Sequence, residues 1–272
     1  MTPALTLQVT ASDGHRFELL HVAAATASPR HLLWLPALGV SARHYLPLAH
    51  ALAQRGCSVT LHEWRGHGSS KLRASRRQDW GFAQLLATDL PAAVACLNAH
   101  GMPVDTLGGH SLGGQLACCF ASQIPGLQRL WLVAAGSPHW ASFRPPQRYW
   151  LPLAYTLLPG LACLLGHLPG RRLGFGGREA RRLVADWARV GRTGRYRIPA
   201  QVQQDMAGLD LGCIAVCLED DWMAPASSLK ALRAWIPGCR HQTAMLTAAQ
   251  LGVAANHFAW IRHPAAIAEA LL

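Results

Sequence analysis

The stretch Gly109-His110-Ser111-Leu112-Gly113 decides the fold. An apolar strand pattern precedes it and a helical pattern follows it, over Val104–Leu107 and Leu112–Gln123. A serine between glycines at such a strand-to-helix turn can project its hydroxyl above a sheet, because small neighbours let the backbone approach closely. The N–H groups and the positive dipole end of the helix then point at that hydroxyl. Ser111 is therefore the predicted nucleophile.

A carboxylate is expected downstream, because a serine hydroxyl is a weak nucleophile without a base, and the base needs an orienting acid. The apolar strand pattern Ile214–Leu218 runs directly into Glu219-Asp220-Asp221. Carboxylates at the C-terminal end of a strand stand at the same sheet edge as the serine turn. Asp221 is the predicted acid, and Asp220 is the near alternative, since one residue of register separates them.

The base is predicted to be His257, which lies in a loop just before the closing helical pattern Pro264–Leu272. The chain order serine, acid, histidine is the order expected for a serine at this kind of turn. His241, at the start of a strand pattern, and His263, beside Pro264, are the competing histidines. Position and order favour His257.

A tetrahedral oxyanion needs hydrogen-bond donors. The backbone N–H of Leu112, directly after the nucleophile, is the first predicted donor. The second is expected in the loop after the apolar run Leu32–Leu38, where the N–H of Leu38 is assigned and Gly39 is the alternate.

Strand patterns alternate with helical patterns from the first third of the chain onward, which predicts a mostly parallel sheet covered by helices on both faces. The alternation stops after Pro138 and resumes near Leu209. We therefore expect a core domain in two parts, 1–137 and 209–272, and an inserted helical cap over 138–208. An apolar stretch at Tyr149–Leu168 fits a pair of cap helices better than a membrane span, because Pro152, Pro159 and Gly160 interrupt it.

The cap is expected to determine the substrate. Its apolar side chains suit an acyl chain or an aromatic group, and the tentative substrate contacts are Trp140, Phe143, Trp150 and Leu157. The alternative is that these side chains pack the cap onto the core.

The composition supports one large globular protein with a buried core, since 51% of the 272 residues are hydrophobic and 14% are charged. The formal net charge is +11, and residues 171–197 contain nine arginines. That segment is either a solvated helix face or a basic patch that attracts anionic lipid at a membrane surface or acidic substrates. No nucleic-acid-binding motif accompanies the charge. The eight cysteines lie mostly in apolar runs and no secretory signal is visible, so we expect a cytoplasmic protein.

These motifs make the chain similar to the α/β-hydrolase superfamily along nearly its whole length. The segment Glu63-Trp64-Arg65-Gly66-His67-Gly68-Ser69-Ser70 resembles the superfamily's D-x-R-G-x-G-x-S, with Glu63 in place of the usual Asp. The spacing from Asp221 to Pro225 resembles the usual acid site and favours Asp221 over Asp220. His257-Phe258 resembles the common G-H-F, with Asn256 replacing Gly. Aligning the loop before Tyr45 again puts Leu38 at the donor position. The loop Pro36–Val40, the segment Asp221–Pro225 and the cap rich in Pro, Trp and Arg are similar to a little-characterised bacterial branch of predicted serine hydrolases.

The resemblance implies acyl transfer through an acyl-enzyme, with no metal or organic cofactor. The expected activity is hydrolysis of carboxylic esters with an apolar acyl group. Amide, thioester or carbon–carbon bond cleavage and acyl transfer to an alcohol remain open, because the cap builds the leaving-group and acceptor pockets. A ligand-binding protein without catalysis is the alternative of another class. The resemblance does not supply the substrate or the oligomeric state.

Overall fold

The computed structural model of the chain describes residues 3–25 and 30–272. The strands in this part of the chain are β1 (Leu5–Thr10), β2 (Arg16–Val22), β3 (His31–Leu35), β4 (Ser58–His62), β5 (Thr106–His110), β6 (Arg129–Val133), β7 (Leu168–Pro169), β8 (Arg178–Glu179), β9 (Gly212–Leu218) and β10 (Arg240–Leu246). The α-helices are α1 (Leu46–Ala53), α2 (Phe82–Gln84), α3 (Leu90–Ala99), α4 (Leu112–Phe120), α5 (Gln147–Leu165), α6 (Arg181–Thr193), α7 (Ala200–Ala207), α8 (Ala226–Arg233), α9 (Ala248–Leu251) and α10 (Ala265–Leu271).

Eight of the described strands form one sheet in the order β1-β2-β4-β3-β5-β6-β9-β10. β1 and β2 pair antiparallel with each other and β2 pairs antiparallel with β4, while the pairs from β4 to β10 are parallel. The buried apolar side chains form a layer on each face of the sheet: α1 and α10 cover one face, and α3, α4 and α8 cover the other. The predicted mostly parallel sheet with helices on both faces is confirmed.

Strand β5 is longer than its apolar pattern indicates, since it continues through Gly108 and Gly109 to His110. Glycine weakens a strand because it has no side chain to pack. Here the parallel ladders override that preference, because both glycines are paired with β3 on one side and with β6 on the other. The strand therefore delivers Ser111 at the sheet edge, directly after its last residue.

The segment between β6 and β9 contains α5, α6, α7 and the small β7-β8 hairpin. The expected pair of cap helices at Tyr149–Leu168 is wrong, since α5 is a single helix with Pro152 and Pro159 inside it. Pro159 has no N–H to donate to the carbonyl of Tyr155, and the guanidinium of Arg192 on α6 donates to that carbonyl instead. A contact from a neighbouring helix thus compensates for the proline. The boundaries 138–208 and the function of this segment as a cap stay a prediction.

A buried ion pair fastens another helix to the sheet. α2, the π-helical segment Leu85–Asp89 and α3 run on as one helix, and the π turn lies just before Pro91, which has no N–H for the helical hydrogen bonds. Asp89 is fully buried; its carboxylate accepts from Arg65 Nε at 3.0 Å and lies 3.1 Å from His15 Nδ1. Although Phe82–Ala99 is long and apolar enough to cross a membrane, these contacts bind it to the core.

We predict that Asp89→Ala lowers the free energy of unfolding by about 3–5 kcal/mol, because it leaves the buried guanidinium of Arg65 without its main partner. Urea unfolding followed by circular dichroism measures the change. Arg240→Ala is the matched control, since the Arg240–Asp210 pair is exposed and should contribute less than about 1 kcal/mol. Equal losses in the two variants would contradict a structural role for the buried pair.

Candidate active site

Ser111 lies at a strained turn between β5 and α4. Its backbone has φ +54° and ψ −118°, a conformation that non-glycine residues rarely adopt. The turn also needs close backbone contact on its far side, because a Cβ on Gly113 would lie 2.0 Å from the carbonyl oxygen of Leu35. The sequence folds this way because glycine at that position lets α4 start directly against β3. The hydroxyl of Ser111 is held above the sheet edge and is partly exposed.

His257 contacts that hydroxyl. Its Nε2 lies 2.9 Å from Ser111 Oγ, and its Nδ1 lies 2.7 Å from Asp221 Oδ2. With Nδ1–H donated to the carboxylate, Nε2 is an acceptor for the serine hydroxyl. The loop that carries His257 is fixed by its own side chains: the indole of Trp260 donates to the carbonyl of His257, and Asn256 Oδ1 accepts two backbone N–H groups. Asn256 thus forms a turn where the superfamily commonly has glycine.

Asp221, and not Asp220, faces the histidine. The carboxylate of Asp221 is buried, whereas Asp220 is exposed and donates its backbone N–H to the carbonyl of Ala255. The second oxygen of Asp221 accepts the N–H groups of Met223 and Ala224 at 2.9 and 3.1 Å. The competing histidines lie elsewhere, since His241 contacts the carbonyl of Ile236 and His263 is exposed.

The backbone N–H groups of Leu38 and Leu112 were predicted to bind an oxyanion. Neither donates to an acceptor within the described residues. The preceding N–H, that of Ala37, is occupied, since it donates to the hydroxyl of Tyr45 at 3.0 Å. Both predicted donors are therefore free for a ligand, and their role as an oxyanion hole stays a prediction.

Tyr45 and His110 form a contact that the sequence does not reveal. Both side chains are completely buried, and the Tyr45 hydroxyl lies 2.8 Å from His110 Nδ1. Burial, and then the nearby His257, hold the pKa of His110 well below its usual value, so its Nδ1 is a neutral acceptor. The hydroxyl thus joins the loop before Leu38 to the residue before Ser111. The sequence does not predict this contact, because residues 45 and 110 share no local pattern.

The four tentative substrate contacts do not form one wall around Ser111. Phe143 is buried in a cluster within the 138–208 segment, and Trp140 packs against that cluster. Trp150 and Leu157 are 43% and 59% exposed, and Trp150 lies 5.9 Å from the ring of Trp222. A contact of any of the four with substrate stays a prediction.

Of the segment similar to D-x-R-G-x-G-x-S, Glu63 contacts the helical turn after β3 and His67 reaches the inserted segment. Burial raises the pKa of Glu63 to about 7, although Oε1 accepts the N–H of Ala42. His67 Nε2 lies 3.3 Å from the buried carboxylate of Glu179 on β8. Burial by itself lowers the pKa of His67, but the hydrogen bond to Glu179 and the negative charges of Glu179 and Glu63 together outweigh it, and the pKa is raised. This pair fastens the β7-β8 hairpin to the loop after β4.

The sheet order and the serine turn define the class of the protein: it is an α/β-hydrolase, an enzyme of the hydrolase type. The chain belongs to the serine aminopeptidase S33 family, whose family model matches residues 29–202. Asp221 and His257 lie beyond the matched residues. No curated protein matches the sequence.

Solved structures from several bacteria share the fold. A hydrolase from Pseudomonas aeruginosa PA01 is 18% identical with a TM-score of 0.66, and the match covers 98% of this chain and 97% of that one. The esterase domain of a Rhodothermus marinus protein is 17% identical with a TM-score of 0.63, covering 99% and 96%. A thermophilic esterase from Thermogutta terrifontis is 16% identical with a TM-score of 0.63, again covering 99% and 96%. At these identities the likeness shows the fold alone.

We predict that Tyr45→Phe lowers kcat about ten- to hundredfold with little change in KM, because the loop before Leu38 loses its fixed position. Turnover of a chromogenic ester measures the effect. Tyr155→Phe is the matched control, since it also removes a buried hydroxyl, which donates to Pro138 away from this loop. A merely structural role for Tyr45 would lower the stability of both variants and leave kcat of the folded protein unchanged.

The raised pKa of Glu63 predicts a pH-dependent stability. A carboxyl group whose pKa rises on folding destabilises the protein once it ionises, so the penalty is absent below about pH 4.5 and complete above about pH 7. Glu63→Gln keeps an acceptor for Ala42 and removes the ionisation. Its free energy of unfolding relative to wild type should rise by on the order of 2–3 kcal/mol between pH 4.5 and 7.5. Chemical unfolding at several pH values tests this, and a difference independent of pH would refute it.

Proposed function

We propose that the protein hydrolyses carboxylic esters through an acyl-enzyme formed on Ser111. The observation that carries the proposal is the chain of hydrogen bonds from Ser111 through His257 to Asp221 at the serine turn. The description of two structural neighbours as esterases supports the ester bond over other acyl bonds. The eight free cysteines are compatible with a reducing cytoplasm, where we expect the enzyme to act.

In the first step, Ser111 Oγ attacks the ester carbonyl while His257 Nε2 takes the hydroxyl proton. Asp221 holds the ring in the required tautomer and stabilises its cationic form. The N–H groups of Leu38 and Leu112 would bind the negative oxygen of the tetrahedral intermediate. His257 then gives the proton to the departing alcohol. In the second step it activates water, which attacks the acyl-enzyme and releases the acid and Ser111.

The acyl group is proposed to be apolar and short. A small cavity of about 10 Å³ is lined by Leu38 and Leu112, the residues that carry the proposed donors. The rest of its lining is apolar at Gly39, Trp64, Trp80, Leu85 and Leu183, and polar or charged at Arg65, His67 and Glu179. A cavity of this size holds about one water molecule. Esters of acetic or propionic acid should therefore fit with less rearrangement than esters of long acids. The cap, residues 138–208, would close over the opposite side.

We predict that wild type hydrolyses p-nitrophenyl acetate faster than the butyrate or octanoate, and that Ser111→Ala lowers kcat by about 10⁴-fold or more. Ser142→Ala, a serine outside the proposed triad, is the control and should match wild type. A fluorophosphonate probe reports the nucleophile independently.

If folded wild type reacts with the probe but hydrolyses none of the esters, the proposed ester hydrolysis is wrong. Cleavage of amide, thioester or carbon–carbon bonds would then be the favoured activity. Failure with both reagents would favour the ligand-binding alternative.

A further inference from the structure

A large groove opens between the core and the inserted segment, and Gly39, which follows Leu38, is part of its lining. Its volume is about 1030 Å³. Most of the side chains that could bind a ligand there are basic: Arg43, Arg73, Arg171, Arg172, Arg178, His44, His67 and His167. They come from three separate stretches of sequence, the helical turn after β3, the loop after β4, and the region from His167 to Arg178. A single solvated helix face does not explain such a convergence.

The positive charge of the groove is not neutralised. None of the five arginines forms an ion pair with a carboxylate within the described residues, and all five are exposed. The acidic side chains of the lining are Glu18 and Glu63. Glu18 accepts a hydrogen bond from Gln8, and Glu63 is buried with a pKa raised to about 7. The groove therefore carries a net positive charge at neutral pH.

Two histidines in the lining respond to this charge. Burial, and then Arg43, Arg262 and Arg171, lower the pKa of His44. Burial, and then Arg178 and Arg172, lower the pKa of His167. The arginines thus raise the positive potential in the space between them.

Parts of the groove are held in place by the backbone. Arg73 donates from one guanidinium nitrogen to the carbonyl of Leu72, and Arg178 donates its Nε–H to the carbonyl of Ala74 at 2.6 Å. Within the described residues, the remaining guanidinium nitrogens of Arg178 donate to no acceptor and are free to bind a ligand. Arginine's planar group binds phosphate oxygens through two parallel hydrogen bonds.

The groove lies against the loop that carries the proposed oxyanion donor Leu38. Gly39, which follows Leu38, lines the groove and has φ +77°. A Cβ at Gly39 would lie 2.1 Å from the carbonyl carbon of Gly176, so the inserted segment rests directly on the loop. A ligand in the groove would therefore lie next to the loop that carries the N–H of Leu38.

We propose that this groove binds a phosphate group, and that the ester substrate carries that phosphate on its alcohol part. The substrate class rests on the proposed ester hydrolysis, whereas phosphate binding does not. The short apolar acyl group would occupy the small cavity by Leu38 and Leu112, and the phosphate would lie among Arg43, Arg171 and Arg172. The source is either a soluble phosphorylated alcohol or the headgroup of a lipid, which share this chemistry.

Binding is measured first, on the Ser111→Ala protein so that no turnover occurs. Isothermal titration calorimetry measures binding of glycerol 3-phosphate. Co-sedimentation compares binding of the protein to phosphatidylglycerol vesicles with its binding to phosphatidylcholine vesicles. Adding Arg171→Gln and Arg172→Gln should weaken binding about tenfold or more, because charge-assisted contacts to phosphate are lost. Arg77→Gln with Arg195→Gln, two exposed arginines outside the groove, removes the same charge and should leave binding intact. Thermal unfolding verifies that each variant is folded.

Binding of glycerol 3-phosphate that depends on Arg171 and Arg172 supports a soluble ligand. Binding of phosphatidylglycerol vesicles alone, with the same dependence, supports a lipid headgroup. The idea is overturned if neither probe binds, or if the control pair weakens binding as much as the groove pair.

Substrate class is tested with a matched pair of esters, 1-acetylglycerol 3-phosphate and 1-acetylglycerol. Wild type should have a kcat/KM at least tenfold higher for the phosphorylated ester, and Arg171→Gln with Arg172→Gln should remove most of that preference. Equal kcat/KM values would overturn the substrate class. If glycerol 3-phosphate binds but neither ester is hydrolysed, the proposed ester hydrolysis fails and the phosphate site stands.

Discussion

The geometry of the candidate active site depends on one constraint, the close approach of the backbone at Gly113 to the backbone of β3. Strand β5 must end, reverse into α4 and leave Ser111 at φ +54°, all within contact of the Leu35 carbonyl on β3. The strain of that backbone is sustained because β5 is paired on both sides and α4 is packed on the sheet. The loop after β3 then lies beside Ser111, and the loops after β9 and β10 bring Asp221 and His257 to the same edge.

Three contacts between buried polar groups connect this edge to the rest of the molecule. Burial alone would raise the pKa of Asp89, but His15 and Arg65 hold it below its usual value, so the carboxylate stays ionised inside the core. Tyr45 joins two backbone segments through one hydroxyl. His67 and Glu179 join the core to the inserted segment. Such pairs stabilise little in net terms, yet they are costly to break, which makes them effective at fixing positions.

The inserted segment forms part of two spaces of different character, a small cavity and a large groove, and the loop after β3 contributes to both. The cavity by Leu38 and Leu112 is small and mostly apolar, whereas the groove beyond Gly39 is large and basic. An ester that is apolar at its acyl end and anionic at its alcohol end matches both. Five of the arginines in the sequence thus have a specific location in the fold, the lining of this groove.

The sequence by itself determined the fold class and the identity of the residues at the serine turn, because glycine spacing and strand–helix alternation are local properties that the backbone obeys. It also favoured Asp221 and His257, since chain order limits the choices. Only the tertiary structure separated Asp221 from Asp220 by burial, continued β5 through two glycines, and kept α5 intact across two prolines. The contact between Tyr45 and His110 joins residues far apart in the chain, and so does the groove that arginines from 43 to 178 line. No local pattern encodes such contacts, because they depend on which loops the sheet order brings to one edge.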